Sequence, residues 1–271
     1  MSDRSTADRA AVGANGSSGP GLVAGRVALV TGGASGIGRA TALTMAREGA
    51  AVLVVDLDEV AIDSTVDEIA GAGGEAAGYR ADVTDEAAVM AMVHQAVDRW
   101  GRLDIAHNNA GINDRSQPFH ELDLADWNRM IAVNLTSVFL SMKHEIAQML
   151  AQGGGAIVNT SSGAGLVAAP GLPHYTAAKH GVLGLTKAAA QELNGSSIRV
   201  NAVLPGMTDT PMIRQWLAEN PEIAGVVQSM MPGGKLGLAE EVAEAVVWLC
   251  SDHASWVSGE SMVVDGGGIC R

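Results

Sequence analysis

The chain has 271 residues, enough for one large α/β domain to bury its core without disulfide or metal staples. At 47% hydrophobic and 17% charged residues its composition is globular, which excludes disordered, collagenous and coiled-coil chains. Thirty acidic against seventeen basic residues give a net charge of −13, a field that repels a phosphate backbone, and no run approaches the roughly 18 uncharged apolar residues of a membrane span.

Residues 1–24 mix Ser, Gly, Ala and scattered charges without periodicity and read as a solvated tail; residues 25–271 read as one domain, with no repeat and no Pro-rich linker. From Arg26 onward short apolar runs alternate with longer amphipathic ones, the pattern of a parallel sheet covered by helices on both faces. The expected strands are Val27–Thr31, Ala51–Val55, Ala76–Ala81, Asp104–His107, Ala156–Thr160, Ile198–Val203 and Ser261–Val264, enough for a doubly wound seven-stranded parallel sheet. Between them, Arg39 to Glu48 reads as helical, and Thr84 is positioned to cap a helix with the stripe Val89, Val93, Val97, Trp100. Asp123 with Asp126 opens a longer helix, Ala125 to about Leu150, striped by Trp127, Met130, Ile131, Val138, Met142, Ile146 and Met149. Asn134 interrupts that stripe and points to the core side. Cys250 and Cys270 are too few for a disulfide framework, and with no apolar signal core at the N-terminus a cytoplasmic location is expected.

The first strand runs directly into Thr31-Gly32-Gly33-Ala34-Ser35-Gly36-Ile37-Gly38 and then a helix. A pyrophosphate needs bare backbone N–H groups at a helix N-terminus, and glycines permit both the tight turn and the close approach. Asp56 ends the second strand 18 residues after Gly38, near the spacing of a carboxylate that accepts from the adenine ribose. That carboxylate repels a 2′-phosphate, and Ala34, Ser35 and Leu57 carry no compensating cation, which favours NAD over NADP. The fold expected is therefore Rossmann-like.

Tyr175 and Lys179 lie four apart on a helical run whose stripe continues through Ala178, Val182, Leu183, Ala189 and Leu193, so both face inward. A buried Lys asks for a partner such as a ribose hydroxyl or a phenolate. A phenol is a poor base at neutral pH unless nearby positive charge favours the phenolate; about three units of lowering corresponds to roughly 4 kcal/mol.

These residues together resemble the classical short-chain dehydrogenase/reductase family over Arg26 to about Gly268. Thr31 to Gly38 is similar to its cofactor loop, Asp82-Val83 to its adenine contact and Asn108-Asn109-Ala110-Gly111 to its strand-four motif. Asn134 resembles the family's helix asparagine, and Ser162, thirteen residues before Tyr175, its catalytic serine; Ser161 lacks the matching separation. Pro205-Gly206 with Thr208 and Thr210 resembles the segment that holds the nicotinamide carboxamide, although many members carry an aliphatic residue where Thr208 stands. The resemblance implies hydride transfer between nicotinamide C4 and a secondary alcohol or ketone. Tyr175 would be general base, Ser162 would orient the substrate oxygen, Lys179 would hold the nicotinamide ribose and lower the phenol's pKa, and Asn134 would position a water beside Lys179. It also implies a homotetramer built on the helices bearing Asn134 and Tyr175.

The seven histidines form no ligand motif, and no metal is expected. His174 is assigned either to the substrate pocket or to a helix cap. The absence of Gly-x-Ser-x-Gly argues against a hydrolase nucleophile, and Gly233-Gly234-Lys235 lacks the Ser or Thr of a P-loop. Residues 207–236 resemble the substrate lid; their Met212, Ile213, Trp216, Leu217, Val226, Val227, Met230 and Met231 favour an apolar or alicyclic substrate. An NAD-dependent secondary alcohol dehydrogenase is the main expectation. The alternatives are an NAD(P)H-dependent reductase of a 3-oxoacyl or quinone-like ketone and a non-catalytic NAD-binding protein.

Overall fold

The computed structural model describes residues 20–220, 225 and 232–269. Seven parallel strands form one sheet in the order β3-β2-β1-β4-β5-β6-β7. In chain order they are β1 (Val27–Thr31), β2 (Ala51–Asp56), β3 (Glu75–Arg80), β4 (Ile105–Asn108), β5 (Gly155–Thr160), β6 (Ile198–Pro205) and β7 (Ser261–Val264). The helices are α1 (Gly36–Arg47), α2 (Glu59–Gly71), α3 (Glu86–Trp100), α4 (Leu124–Ile131), α5 (Ser137–Gln152), α6 (Pro173–Glu192), α7 (Pro211–Glu219) and α8 (Ala239–Cys250).

The period-2 alternation of the central strands sorts their side chains between two cores. Val27 and Leu29 of β1 join Leu53, Ala106, Ile157 and Val200 under the apolar faces of α3, α5 and α6. Ala28 and Val30 face the other way, with Val52, Val54, Ile105 and Val158, against α1, α2 and α8. The chain runs outward through β2 and β3, then returns to place β4 on the other side of β1. This reversal between β1 and β4 is the topological switch point at whose carboxyl edge doubly wound sheets bind ligands.

Four expectations shift. Residues 21–24 are not tail: Val23 is fully buried and its N–H donates to the Glu48 carbonyl, while the Leu22 N–H donates to the Glu48 carboxylate. Asp85, not Thr84, caps α3 by accepting from the Ala87 N–H; Thr84 turns back and donates twice to Asp82. The single long helix is two, α4 and α5, joined through a π turn at Ala132–Thr136. β6 continues to Pro205, so it carries the nicotinamide segment at its own end. Residues 1–19, Cys270 and the lid's Val226, Val227, Met230 and Met231 lie outside the described residues.

Candidate active site

A cleft of about 1600 Å³ opens along the carboxyl edge of β1, β4, β5 and β6. At its phosphate end Gly32 has φ +61°, a conformation open to glycine, and a Cβ at Gly38 would strike the Gly32 carbonyl. The loop therefore folds tightly onto the N-terminus of α1, whose Ser35 cap makes no side-chain hydrogen bond to the first turn. Free N–H groups at a helix N-terminus facing a deep cleft fit a pyrophosphate. Asp56 ends β2 beside this loop, where its carboxylate accepts from the Ala34 N–H (3.1 Å) and the Leu57 N–H (2.7 Å). Arg80 lies opposite Asp56 in the β2–β3 register and donates to the Leu57 carbonyl at 3.1 Å. Arg80 is one strand away from the phosphate loop, so no spacing within the loop pointed to it.

The switch point is held by Thr31, whose hydroxyl accepts from the N–H groups of Asn109 (3.0 Å) and Ala110 (3.1 Å). The Asn109 side chain returns the contact by donating to the Thr31 carbonyl at 3.2 Å. Asn108 alternates to the other side of β4. It leaves the cleft and donates to Glu145 (2.9 Å) and Asn159 (3.0 Å) in the core, which corrects its assignment as a cofactor contact. Gly38 also supports the loop from beneath rather than lining the cleft. Ser35, Gly36, Ile37, Leu57, Asp82, Val83, Gly111, Pro205, Gly206, Thr208 and Thr210 do line it.

The reactive corner is built from β5, α6 and the π turn. The Lys179 side chain is buried, and its ammonium donates to the Thr160 carbonyl at 2.9 Å. It sits 5.6 Å from the centre of the Tyr175 ring. The Ser161 hydroxyl donates to the Lys179 carbonyl at 2.8 Å, whereas Ser162 turns to the cleft, accepts from the Ala164 N–H and lies beside the Tyr175 phenol. Burial pushes the Tyr175 phenol above its ordinary value, with the Ser162 hydrogen bond pulling the other way, and burial lowers Lys179 to about 8. Desolvation is the largest influence on both groups and disfavours the phenolate and the ammonium alike.

Asn134 lies in the π turn, fully buried and outside the cleft wall. It clamps one residue, accepting from the Ile112 N–H and donating to the Ile112 carbonyl, each at 2.8 Å. A Cβ at Gly111 would stand 3.0 Å from Asn134 Oδ1 and 3.7 Å from Lys179 Nζ, so the two side chains meet across a glycine. His174 is buried off the cleft, with Nε2 3.5 Å from Asp114, itself paired to Arg129. The far end of the cleft is walled by Ile112, Val167, Leu172, Met207, Met212 and Trp216, an apolar surface around the Tyr175 and Ser162 hydroxyls. Thr160, Asp265 and Ile269 were missed; for Asp265 the signal was present as an acidic residue opening a Gly-Gly-Gly turn after a strand.

The profile of the family described as Enoyl-(Acyl carrier protein) reductase matches residues 32–268, from the phosphate loop to the last glycine turn. The chain belongs to the short-chain dehydrogenase/reductase family. It is 47% identical over 241 residues to cyclohexanol dehydrogenase of Acinetobacter sp. (strain SE19), covering 89% of this chain and 94% of that protein. It is 46% identical over 242 residues to cis-4-hydroxycyclohexanecarboxylate dehydrogenase of Sinomonas cyclohexanicum, covering 89% and 96%. Among solved structures, levodione reductase superposes with a TM-score of 0.87 at 37% identity over 90% of this chain and 97% of that one. Like its relatives, this short-chain dehydrogenase/reductase is an oxidoreductase, and its glycine cradle and deep cleft fit a nicotinamide dinucleotide.

Proposed function

We propose that the protein interconverts an apolar, alicyclic secondary alcohol and its ketone, with NAD as cofactor and Tyr175 as general acid and base. The observation that carries this reading is the pairing of the Tyr175 and Ser162 hydroxyls at the apolar end of the cleft, with Lys179 buried behind them. When bound, the dinucleotide supplies hydride acceptance or donation at its nicotinamide C4. In the oxidative direction Tyr175 Oη takes the proton of the substrate hydroxyl while Ser162 Oγ holds the same oxygen in line. Lys179, titrating near 8, favours the phenolate whenever it carries its proton. Asn134 fixes the Ile112 backbone, and a water it shares with Lys179 through the gap over Gly111 would pass the proton outward.

The apolar wall supports a ring substrate, since it offers close contact to hydrocarbon and few polar partners beyond the two hydroxyls and Asn113. The names of the two curated relatives, each a dehydrogenase of a cyclohexane alcohol, support the same class. Asp56 supports NAD, because a 2′-phosphate would meet its carboxylate. One observation favours a second reading, reduction of a 3-oxoacyl or quinone-like ketone with NADPH: Arg80 stands opposite Asp56 and could receive that phosphate. Exposed Phe139 and Leu150 on α5 support the homotetramer.

The test is nicotinamide absorbance with cyclohexanol and each oxidised dinucleotide. NAD-dependent turnover that falls about 10²- to 10⁴-fold in Tyr175→Phe is expected. Full activity in that variant would refute the mechanism, and exclusive use of NADP would move the assignment to the second reading.

A further inference from the structure

β7 ends against the nicotinamide segment and the chain then turns back through Asp265-Gly266-Gly267-Gly268-Ile269. Asp265 organises this turn. Its Oδ1 accepts from the Gly267 N–H and its Oδ2 from the Ile269 N–H, both at 2.7 Å, and its carbonyl accepts from Gly268 at 3.3 Å. The turn is seated at both ends. A Cβ at Gly206 would come within 2.6 Å of Asp265 Cβ, and a Cβ at Gly163 would lie 3.3 Å from Ile269 Cγ2. Gly206 follows Pro205 of the nicotinamide segment and Gly163 follows Ser162, so one short segment spans the two sides of the reactive corner. Ile269 lines the cleft there.

We propose that Ile269, folded inward by Asp265, is a specificity-determining residue that closes the Ser162 flank of the cleft and limits the ring size the enzyme accepts. The inference rests on the reading that Ser162 and Tyr175 hold the carbinol. A substrate carbon next to the carbinol must then pass against the Ile269 side chain, so this flank takes hydrocarbon and its width is that of one branched residue. Asp265 is a positioning residue: its carboxylate gathers the Gly267 and Ile269 N–H groups and so sets the path by which the turn brings Ile269 against Gly163.

The experiment compares cyclohexanol with the larger ring of cyclooctanol in the wild type, Ile269→Ala and Ile269→Phe. A methylene-scale change in an apolar pocket is worth about 10- to 200-fold in kcat/KM. The ratio of bulky to small ring should rise at least about tenfold in Ile269→Ala, chiefly through KM, and fall by a similar factor in Ile269→Phe. Asp265→Ala should shift the ratio in the Ile269→Ala direction, with Asp265→Asn, which keeps one acceptor, in between. An unchanged ratio in both Ile269 variants overturns the inference even if Asp265→Ala fails to fold. Binding of the two ketones to the protein–NADH complex, read by nicotinamide fluorescence, separates the levels of the argument. Ring binding that depends on Ile269 without any turnover would sink the catalytic reading and keep this one. Turnover with a constant ratio does the reverse, and absence of ring binding removes both.

Discussion

Tyr175 and Lys179 are two groups whose burial opposes the charges their chemistry needs. Tyr79 and Tyr175 are the only tyrosines, so Tyr79→Phe leaves one phenol to follow. In that variant the phenol should titrate above its ordinary value in the protein alone, and move down when NAD is added; ultraviolet difference titration reads both. Lys179 has its own sign. Its folded pKa, about 8 against an ordinary value of 10.5, means that stability is lost as pH falls from 10.5 through 8, and the whole penalty applies at neutral pH. Lys179→Met should therefore abolish turnover yet raise thermal stability at pH 7. The gain is on the order of 1–2 kcal/mol once the unpaired Thr160 carbonyl is counted, and loss of stability would refute the assignment. At the other end of the cleft, Asp56→Ala should raise the efficiency of NADP relative to NAD by at least about tenfold, because it removes a like charge and leaves Arg80. Asn134, Ser162, Tyr175 and Lys179 were readable as residue types at a spacing, but the burial that decides how Tyr175 and Lys179 titrate was not, since it depends on several elements packing together.

Among the elements, the junction of α4 and α5 carries the most consequence. The π turn at Ala132–Thr136 widens the helix at the turn that carries the buried Asn134 without breaking it. Apolar spacing alone cannot report this, because the stripe resumes at Val138 as though the helix were regular. Further along α5, Glu145 is buried with Asn108 as its donor, and Oε1 of Glu145 and Oδ1 of Asn108 have no partner among the described residues; both are acceptors when Glu145 is ionised, so a proton on Glu145 would suit the cluster. Burial raises the Glu145 carboxyl to about 7, outweighing the Asn108 hydrogen bond. A carboxyl raised on folding stabilises fully below its unfolded value near 4.5, and that stability is lost as pH rises through 7, a difference of about 3 kcal/mol. Glu145→Gln should flatten the melting temperature between pH 5 and about 8 and raise it at the alkaline end. An unchanged slope would show that Glu145 is solvated. Glu145 is the one acid of α5 and stands three residues after Met142 and four before Met149, so its place on the apolar stripe was a signal the sequence analysis did not use.

At the scale of the molecule, the seven strands and their alternation with helices were legible because the central strands are short, mainly apolar runs and the longer segments between them carry amphipathic stripes. β3, Glu-Ala-Ala-Gly-Tyr-Arg, lies at the sheet edge with half its residues open to water, and it begins and ends one residue earlier than expected. Contacts between segments far apart in the chain were not legible, and Val23 on α1 and Ile269 on Gly163 are both of that kind. Assembly belongs to this scale too. Light scattering should give four chains per particle, and Phe139→Glu, which charges an exposed apolar residue of α5, should yield smaller species; a wild-type monomer would remove the tetramer. Finally, β1 leads the fold yet sits inside the sheet, third from one edge, and the Val27 N–H meets Asp104 across 77 residues of chain. During synthesis the first strand must wait, flanked on one side only, until the ribosome has delivered β4. The groove for the dinucleotide comes into being when these separately made halves close, so holding β4 back should slow the arrival of binding competence more than the growth of helix signal.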